Sequence, residues 1–312
     1  MTRQSRTRSL PRVQNSADLL AAIPVTLGYW PTESAVIVVC REKAVELSAR
    51  VEVDWFVAHF DAVADQMSSV VMRYPDARYF LLGYSSDREL AELSLAQLAE
   101  VLDGCDIVDM IATNDEVWWS MLCDESCCPP EGRPFDRETA IMSAEAVFAG
   151  LSIGGDRESI VARVAGPAPS AGVLEDFNAA RIAVAGKGLA ARRRLLAKAT
   201  CAKGGIGRLA ALKASALLQD DDLAADVLER LHPDNARAHA EWLMEVVDVS
   251  PPEAAATPLG LLGLASWLDG GGPVMTAAAE RLVSVAPRHP LAGLLHRLLT
   301  DVVPPWVWRE SA

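Results

Sequence analysis

The sequence predicts an α/β amino-terminal domain, with a mixed sheet in the order ββαβαββ, followed by an all-α, helical-repeat-like region. Three observations predict it. Apolar and polar residues alternate over 45–53, directly after a solid apolar run at 35–40. Apolar residues then recur at helical spacing over 56–71 and 90–102, each time followed by a short run suited to a strand. Beyond residue 172, the periodic stretches are all helical in spacing.

The 312 residues, 51% of them hydrophobic, suffice for a sizeable core and, at about 100–200 residues per domain, for two domains. Residues 1–15 carry Arg3, Arg6, Arg8 and Arg12 without apolar periodicity and read as a mobile basic arm. The stretch holding Gly166, Pro167, Pro169 and Gly172 is the most linker-like, which sets an α/β domain at 16–166 and a helical region at 173–312.

In order, Ser16 is expected to cap a short helix over 17–23 that Pro24 ends or kinks, or after which Pro24 starts a second turn. Gly28 and Pro31 bracket a loop. The Val/Ile run at 35–40 suits a buried strand, and Val45, Leu47, Ala49, Val51 and Val53 give its partner one wet face, so the two form a hairpin. Phe56, Phe60, Val63, Met67, Val70 and Val71 make an amphipathic helix that stops before Pro75. A strand follows at 79–84. Asp87 then caps a helix whose inner face is read as Leu90, Leu93, Leu98, Val101 and Leu102. The strand at 107–113 turns back through Asn114-Asp115 into another at 117–122. Residues 123–134 read as a loop rich in Cys, Pro and Gly, and a helix is expected from Asp136 through Leu151. Helices are then expected at 173–199, 206–218, 222–231, 235–248, 258–269, 274–285 and 290–301, with short connections that favour antiparallel neighbours. The helix–turn–helix at 259–287 has the spacing of half a tetratricopeptide-type unit.

Charge and motifs narrow the function classes. A net charge of −13 argues against broad nucleic-acid or anionic-membrane binding. No run approaches the ~20 apolar residues of a membrane span, and no apolar core follows the basic start, as a secretory signal requires. A cytoplasmic protein is expected. Ala185-Gly186-Lys187-Gly188 lacks the remainder of a phosphate loop, and Gly204-Gly205-Ile206-Gly207 lacks a βαβ context.

The densest chemistry is in residues 118–132. Cys123, Cys127 and Cys128 fall within six positions after a strand. Three readings stand side by side: packed thiols, a zinc site, and a disulfide or reactive thiol. Zinc suits thiolates on a loop, but a closed site takes four ligands, so one from elsewhere, such as His59, is required. Asp124, Glu125 and Glu131 would raise thiol pKa values, which works against a reactive thiolate. Cys40 and Cys105 adjoin apolar runs and read as buried thiols. Trp118 and Trp119 must face opposite sides of their strand. Across the domain, Trp30, Glu33, Ser34, Arg50, Trp119 and Ser120 are the candidate pocket groups.

The residues 18–24 (DLLAAIP), then Leu27-Gly28-Tyr29-Trp30-Pro31 and Ser34 before Val36, resemble the opening of the domain of unknown function 4192 family (DUF4192). Residues 49–54 (ARVEVD) are similar to that family's second strand. Trp119-Ser120, Cys123, Cys127-Cys128-Pro129 and Glu131-Gly132 are similar to its cysteine signature, and Trp267, the glycines at 270–272, Pro287, Leu291-Ala292 and Pro304-Pro305-Trp306 to its tail. The resemblance covers nearly the whole chain. It implies a bacterial or phage protein, from high-GC Gram-positive bacteria, and makes the cysteine loop characteristic, but it assigns no activity. The expectation is a cytoplasmic binding or regulatory protein that takes a protein partner on its helical region. The alternative is an enzyme with a pocket between loops 28–34 and 119–132, built from Glu33, Ser34, Arg50, Ser120 and Cys123.

Overall fold

The structure is a computed structural model that describes residues 15–42, 44–123, 128–136, 157–200, 205–305 and 307–310. The basic arm, Cys127, Cys201, Gly204, Trp306 and the helix expected over 136–151 lie wholly or mostly outside these residues. The chain forms two compact units. One runs to Arg157 and includes Thr300–Pro304; the other holds Glu158–Leu299 and the residues from Pro305 onward.

The first unit is built on a six-stranded mixed sheet in the order β2-β1-β3-β4-β5-β6. Its strands are β1 (Ser34–Arg41), β2 (Ala44–Glu52), β3 (Arg78–Tyr84), β4 (Asp106–Thr113), β5 (Val117–Ser120) and β6 (Arg133–Pro134). Only β3 and β4 are parallel; every other neighbouring pair is antiparallel. The predicted hairpin is β1–β2. β1 is buried on both faces, which is why it reads as a continuous apolar run, whereas edge strand β2 alternates. β6 falls within what the sequence presents as loop. Its two residues carry no periodic signal, and pairing with β5 alone defines it.

One face of the sheet carries Ala35, Ile37, Val39, Tyr79, Leu81, Met110 and Ala112, which pack with Phe56, α3 (Phe60–Arg73) and α4 (Arg88–Val101). The helix expected from residue 56 is divided, since His59 leaves helical geometry between α2 (Trp55–Ala58) and α3. Asp87 caps α4 as expected, accepting from the Glu89 and Leu90 N–H groups at 3.0 and 3.2 Å. The inner face of α4 differs from expectation. Ala91, Leu95, Leu98 and Leu102 are buried while Leu93 is 45% exposed. The reason is Gly83 on β3: a Cβ there would lie 3.2 Å from the Ala91 Cβ, so the helix approaches the sheet on its small residue.

The opposite face is covered by α1 (Ser16–Leu27), which corrects two expectations. Its cap is Asn15, whose Oδ1 accepts the Asp18 N–H at 2.9 Å, while Ser16 Oγ donates to Asp109 Oδ2 at 3.0 Å. The helix also continues through Pro24. Proline removes the donor that would satisfy the Leu20 carbonyl. The buried Tyr84 hydroxyl supplies it instead, at 2.9 Å.

The second unit is helical: α5 (Arg157–Ala165), α6 (Ala171–Ala185), α7 (Leu189–Thr200), α8 (Arg208–Leu217), α9 (Asp221–Glu229), α10 (Ala236–Val249), α11 (Ala256–Asp269), α12 (Gly272–Val285), α13 (Pro290–Thr300) and α14 (Val307–Glu310). The long helix expected over 173–199 is two, parted at Gly186. Helices α10, α11 and α12 follow the expected boundaries within two residues. Gly260 and Gly263 of α11 receive Leu291 and Leu295 of α13; a Cβ at either glycine would stand 2.5 Å from a leucine Cδ1. The Glu245 carboxylate of α10 accepts the Ile206 and Gly207 N–H groups at 2.9 and 3.1 Å, so it serves as the cap of α8. Among the described residues, no helix is long and apolar enough to cross a membrane.

Candidate functional site

The candidate residues gather around the sheet end where β1 begins and β3 and β4 finish. Directly opposed residues form one row across all six strands: Glu52, Ser34, Tyr84, Thr113, Trp118 and Arg133. This row faces α1. The Arg133 guanidinium lies 5.7 Å over the Trp118 ring, and Trp118 is buried. Trp119, one residue on, projects from the other face, as strand geometry requires.

Ser34 and Arg50 meet. Arg50 Nε donates to Ser34 Oγ at 2.5 Å, its Nη2 to the Thr32 carbonyl at 3.2 Å, and its Nη1 faces Glu52 at 3.2 Å. Ser34 Oγ in turn donates to the Thr32 carbonyl. The serine and arginine thus pin the loop to the β1–β2 hairpin.

Glu33 adopts φ 42°, a left-handed conformation that side chains avoid. Its carboxylate explains the geometry. It accepts from Ser85 Oγ at 2.5 Å, from the Ser86 N–H at 2.9 Å and from Ser86 Oγ at 2.8 Å. Burial pushes the carboxyl pKa up, but these three donors outweigh it and hold the group below its ordinary value. Glu33 therefore ties the loop to the β3–α4 turn, at the carboxyl end of the parallel strands.

Trp30 Nε1 donates to Asp115 Oδ1 at 3.1 Å, and its ring stacks on Phe135 at 6.2 Å and meets Tyr84 edge-on at 6.4 Å. Ser120 Oγ donates to Asp109 Oδ1 at 3.1 Å. Asp109 also accepts from Ser16 and from the Met110 N–H, so this carboxylate joins α1, β4 and β5. Arg50 and Ser120 share a face but stand four strand spacings apart, roughly 19 Å.

Trp119 anchors the cysteine loop on the α4 side. The Arg88 guanidinium sits 4.5 Å over its ring, and Arg88 Nη1 and Trp119 Nε1 both donate to the Pro130 carbonyl, at 3.0 and 3.2 Å. Gly132, at φ 83°, leaves the space the indole needs: a Cβ there would fall 2.6 Å from Trp119 Nε1. Cys123 and Cys128 are half-buried. Among the described residues, no three His, Cys, Asp or Glu side chains converge as metal ligands; Cys127 is not one of those residues. His59 is exposed and rests edge-on against Trp55 at 5.1 Å. Burial raises the thiol pKa values of Cys40 and Cys105, which favours their protonated form.

The model of a domain of unknown function, DUF4192, matches residues 17–306. The chain belongs to the DUF4192 family. No curated protein and no solved structure matches it. The DUF4192 match takes in both units and every candidate residue.

The structure thus brings Ser34 together with Arg50, and places Glu33, Trp30, Ser120 and Trp119 in separate bonded clusters around the sheet. Sequence reasoning missed Asp109, Asp115, Ser85, Ser86 and Arg88, which partner them. The adjacent Ser85 and Ser86, between the end of β3 and the Asp87 cap, were the available signal.

Proposed function

We propose that this DUF4192 chain is a binding or regulatory protein that receives a helix of a protein partner on its helical unit. One observation carries the reading. A groove of about 430 Å³ runs between α6 and α8, floored by Ala179, Ala180, Ala183 and Leu212 and edged by Leu209, with Asp176, Arg208 and Lys213 at its rim. Leu209 is 63% exposed. Exposed apolar side chains beside a concave, small-residue floor are the features that accept an amphipathic helix. The half-buried thiols Cys40 and Cys105, outside any disulfide, support a cytoplasmic setting.

The enzyme alternative has less behind it. The Ser34 hydroxyl donates to the Thr32 carbonyl, and the Asp109 carboxylate that accepts from Ser120 is also tied to Ser16 and to the Met110 N–H.

The test is a photo-crosslinking amino acid at position 209, with the same group at exposed position 72 as control, in cells that express the protein. A discrete adduct at 209, absent at 72 and abolished by Ala183→Glu on the groove floor, supports the groove. Equal labelling at both positions overturns it.

A further inference from the structure

We propose that the carboxyl end of α5 is a latch: it undocks reversibly from α10 and α12 while the rest of the helical unit stays folded, and the Arg281 guanidinium is its catch.

Burial does little to hold this helix. Of its nine residues Val164 alone is buried, and Val161, Ala162, Arg163 and Ala165 around it are exposed. Arg157 and Ser159 have further contacts at its amino end. At its carboxyl end the chain runs through residues 166–170 without helix, past Pro167 and Pro169, before α6 begins. The contrast is α11, in which every residue from Pro258 to Leu268 is buried. A segment with few buried apolar side chains opens locally, at a cost well below that of unfolding the unit around it.

What holds the carboxyl end is concentrated at one side chain. Arg281 of α12 donates through Nη1 to the Val164 carbonyl, one of the last carbonyls of α5, which have no partner within the helix. Gly166, at φ 66°, lies against the same guanidinium. A Cβ there would stand 2.7 Å from Arg281 Nη1 and Nη2 and 2.8 Å from the Val247 carbonyl of α10, so the turn after α5 fits its seat only as glycine. Arg281 is half-buried, and among the described residues the Val164 carbonyl is its one hydrogen-bond or ion-pair partner. A guanidinium taken partly out of water is usually paired with a full carboxylate charge. The end of a helix supplies only about half a negative charge. The contact is therefore attractive but weaker than an ion pair, which suits a catch that opens. Opening frees the guanidinium to take a carboxylate, for which its planar fork is built.

Native-state hydrogen exchange on the full chain, read by mass spectrometry, tests the proposal. The amides of residues 161–165 are expected to exchange at least about tenfold faster than those of 259–268, at a rate that low urea leaves unchanged, as for a local opening. Arg281→Met keeps the apolar stem and removes the donor. It should speed exchange at 161–165 by about a further tenfold, the loss of one hydrogen bond from a charged group, and leave 259–268 as they were. Gly166→Ala should do the same by crowding the guanidinium, and decides the matter if Arg281→Met fails to fold. Protection of 161–165 equal to that of 259–268 in the wild type overturns the proposal, as does exchange of 161–165 at the rate of an unstructured chain. So does a variant in which 161–165 keep the wild-type rate, or in which both segments speed up together.

Discussion

Pro24 and Tyr84 complete each other: the proline strips the Leu20 carbonyl of its helical donor, and the tyrosine hydroxyl takes the vacant place at 2.9 Å. Tyr84 is fully buried, and burial raises its pKa well above the ordinary tyrosine value, so it is a donor at all physiological pH. Tyr84→Phe should cost about 1–3 kcal/mol, the penalty for a buried carbonyl left unsatisfied. In a Pro24→Ala background the restored N–H should shrink that cost. Equal costs in the two backgrounds, by urea titration, would sink the pairing.

The Glu33 clasp predicts a pH dependence. Its carboxyl is held below its ordinary value in the folded state, so the folded state binds that proton less well than the unfolded chain does. The contribution is present above the unfolded value of ~4.3 and is lost as pH falls through the lower folded value. Thermal melts should show Glu33→Gln less stable than wild type at neutral pH, with the gap closing on acidification. A gap independent of pH would show that the carboxylate charge is not what holds the loop.

The two notched glycines of α11 should respond differently to alanine. At Gly263 the atoms nearest a Cβ are the Cδ and Cγ atoms of Leu295, which can turn away, and helix propensity returns roughly 1 kcal/mol. At Gly260 it also comes within 2.8 Å of the Leu291 Cβ, which is fixed to the backbone. Gly263→Ala should be near neutral and Gly260→Ala destabilising by about 1–3 kcal/mol, the usual range for overpacking. Equal melting temperatures for the two variants would contradict this.

Gly132→Ala places a Cβ on the Trp119 indole and strains a left-handed residue, roughly 1–2 kcal/mol for the backbone alone. The indole should lose its bond to the Pro130 carbonyl, shifting tryptophan emission, and the thiols of Cys123 and Cys128 should react faster with a disulfide reagent. Unchanged thiol rates would show that the Trp119 clasp does not organise the cysteine loop.

Much of the fold was legible because its signals are local. The alternation over 45–53, the helical spacing over 60–71 and the Asp87 cap each sit within a dozen residues. The errors lie where a distant residue decides. Helix α1 passes Pro24 because of a hydroxyl 64 positions beyond Leu20, whose carbonyl it serves. The inner face of α4 is set by the missing Cβ of Gly83. Strand β6 exists only through its pairing with β5. The site followed the same rule: Ser34 was legible as a polar group where a loop meets the sheet, but Glu33's serines and the Asp109 junction depend on how the strands are ordered.

The Glu245 carboxylate that caps α8 from α10 bears on how the groove would behave as a receptor. One wall of the groove is fastened to a third helix before any ligand arrives, so its shape is set during folding and not during encounter. Association with a preformed wall loses little conformational freedom on the receptor side, and the ordering cost falls mainly on the incoming helix. Loosening that fastening with Glu245→Gln would be felt as slower capture of the same ligand, while every residue that touches it stays in place.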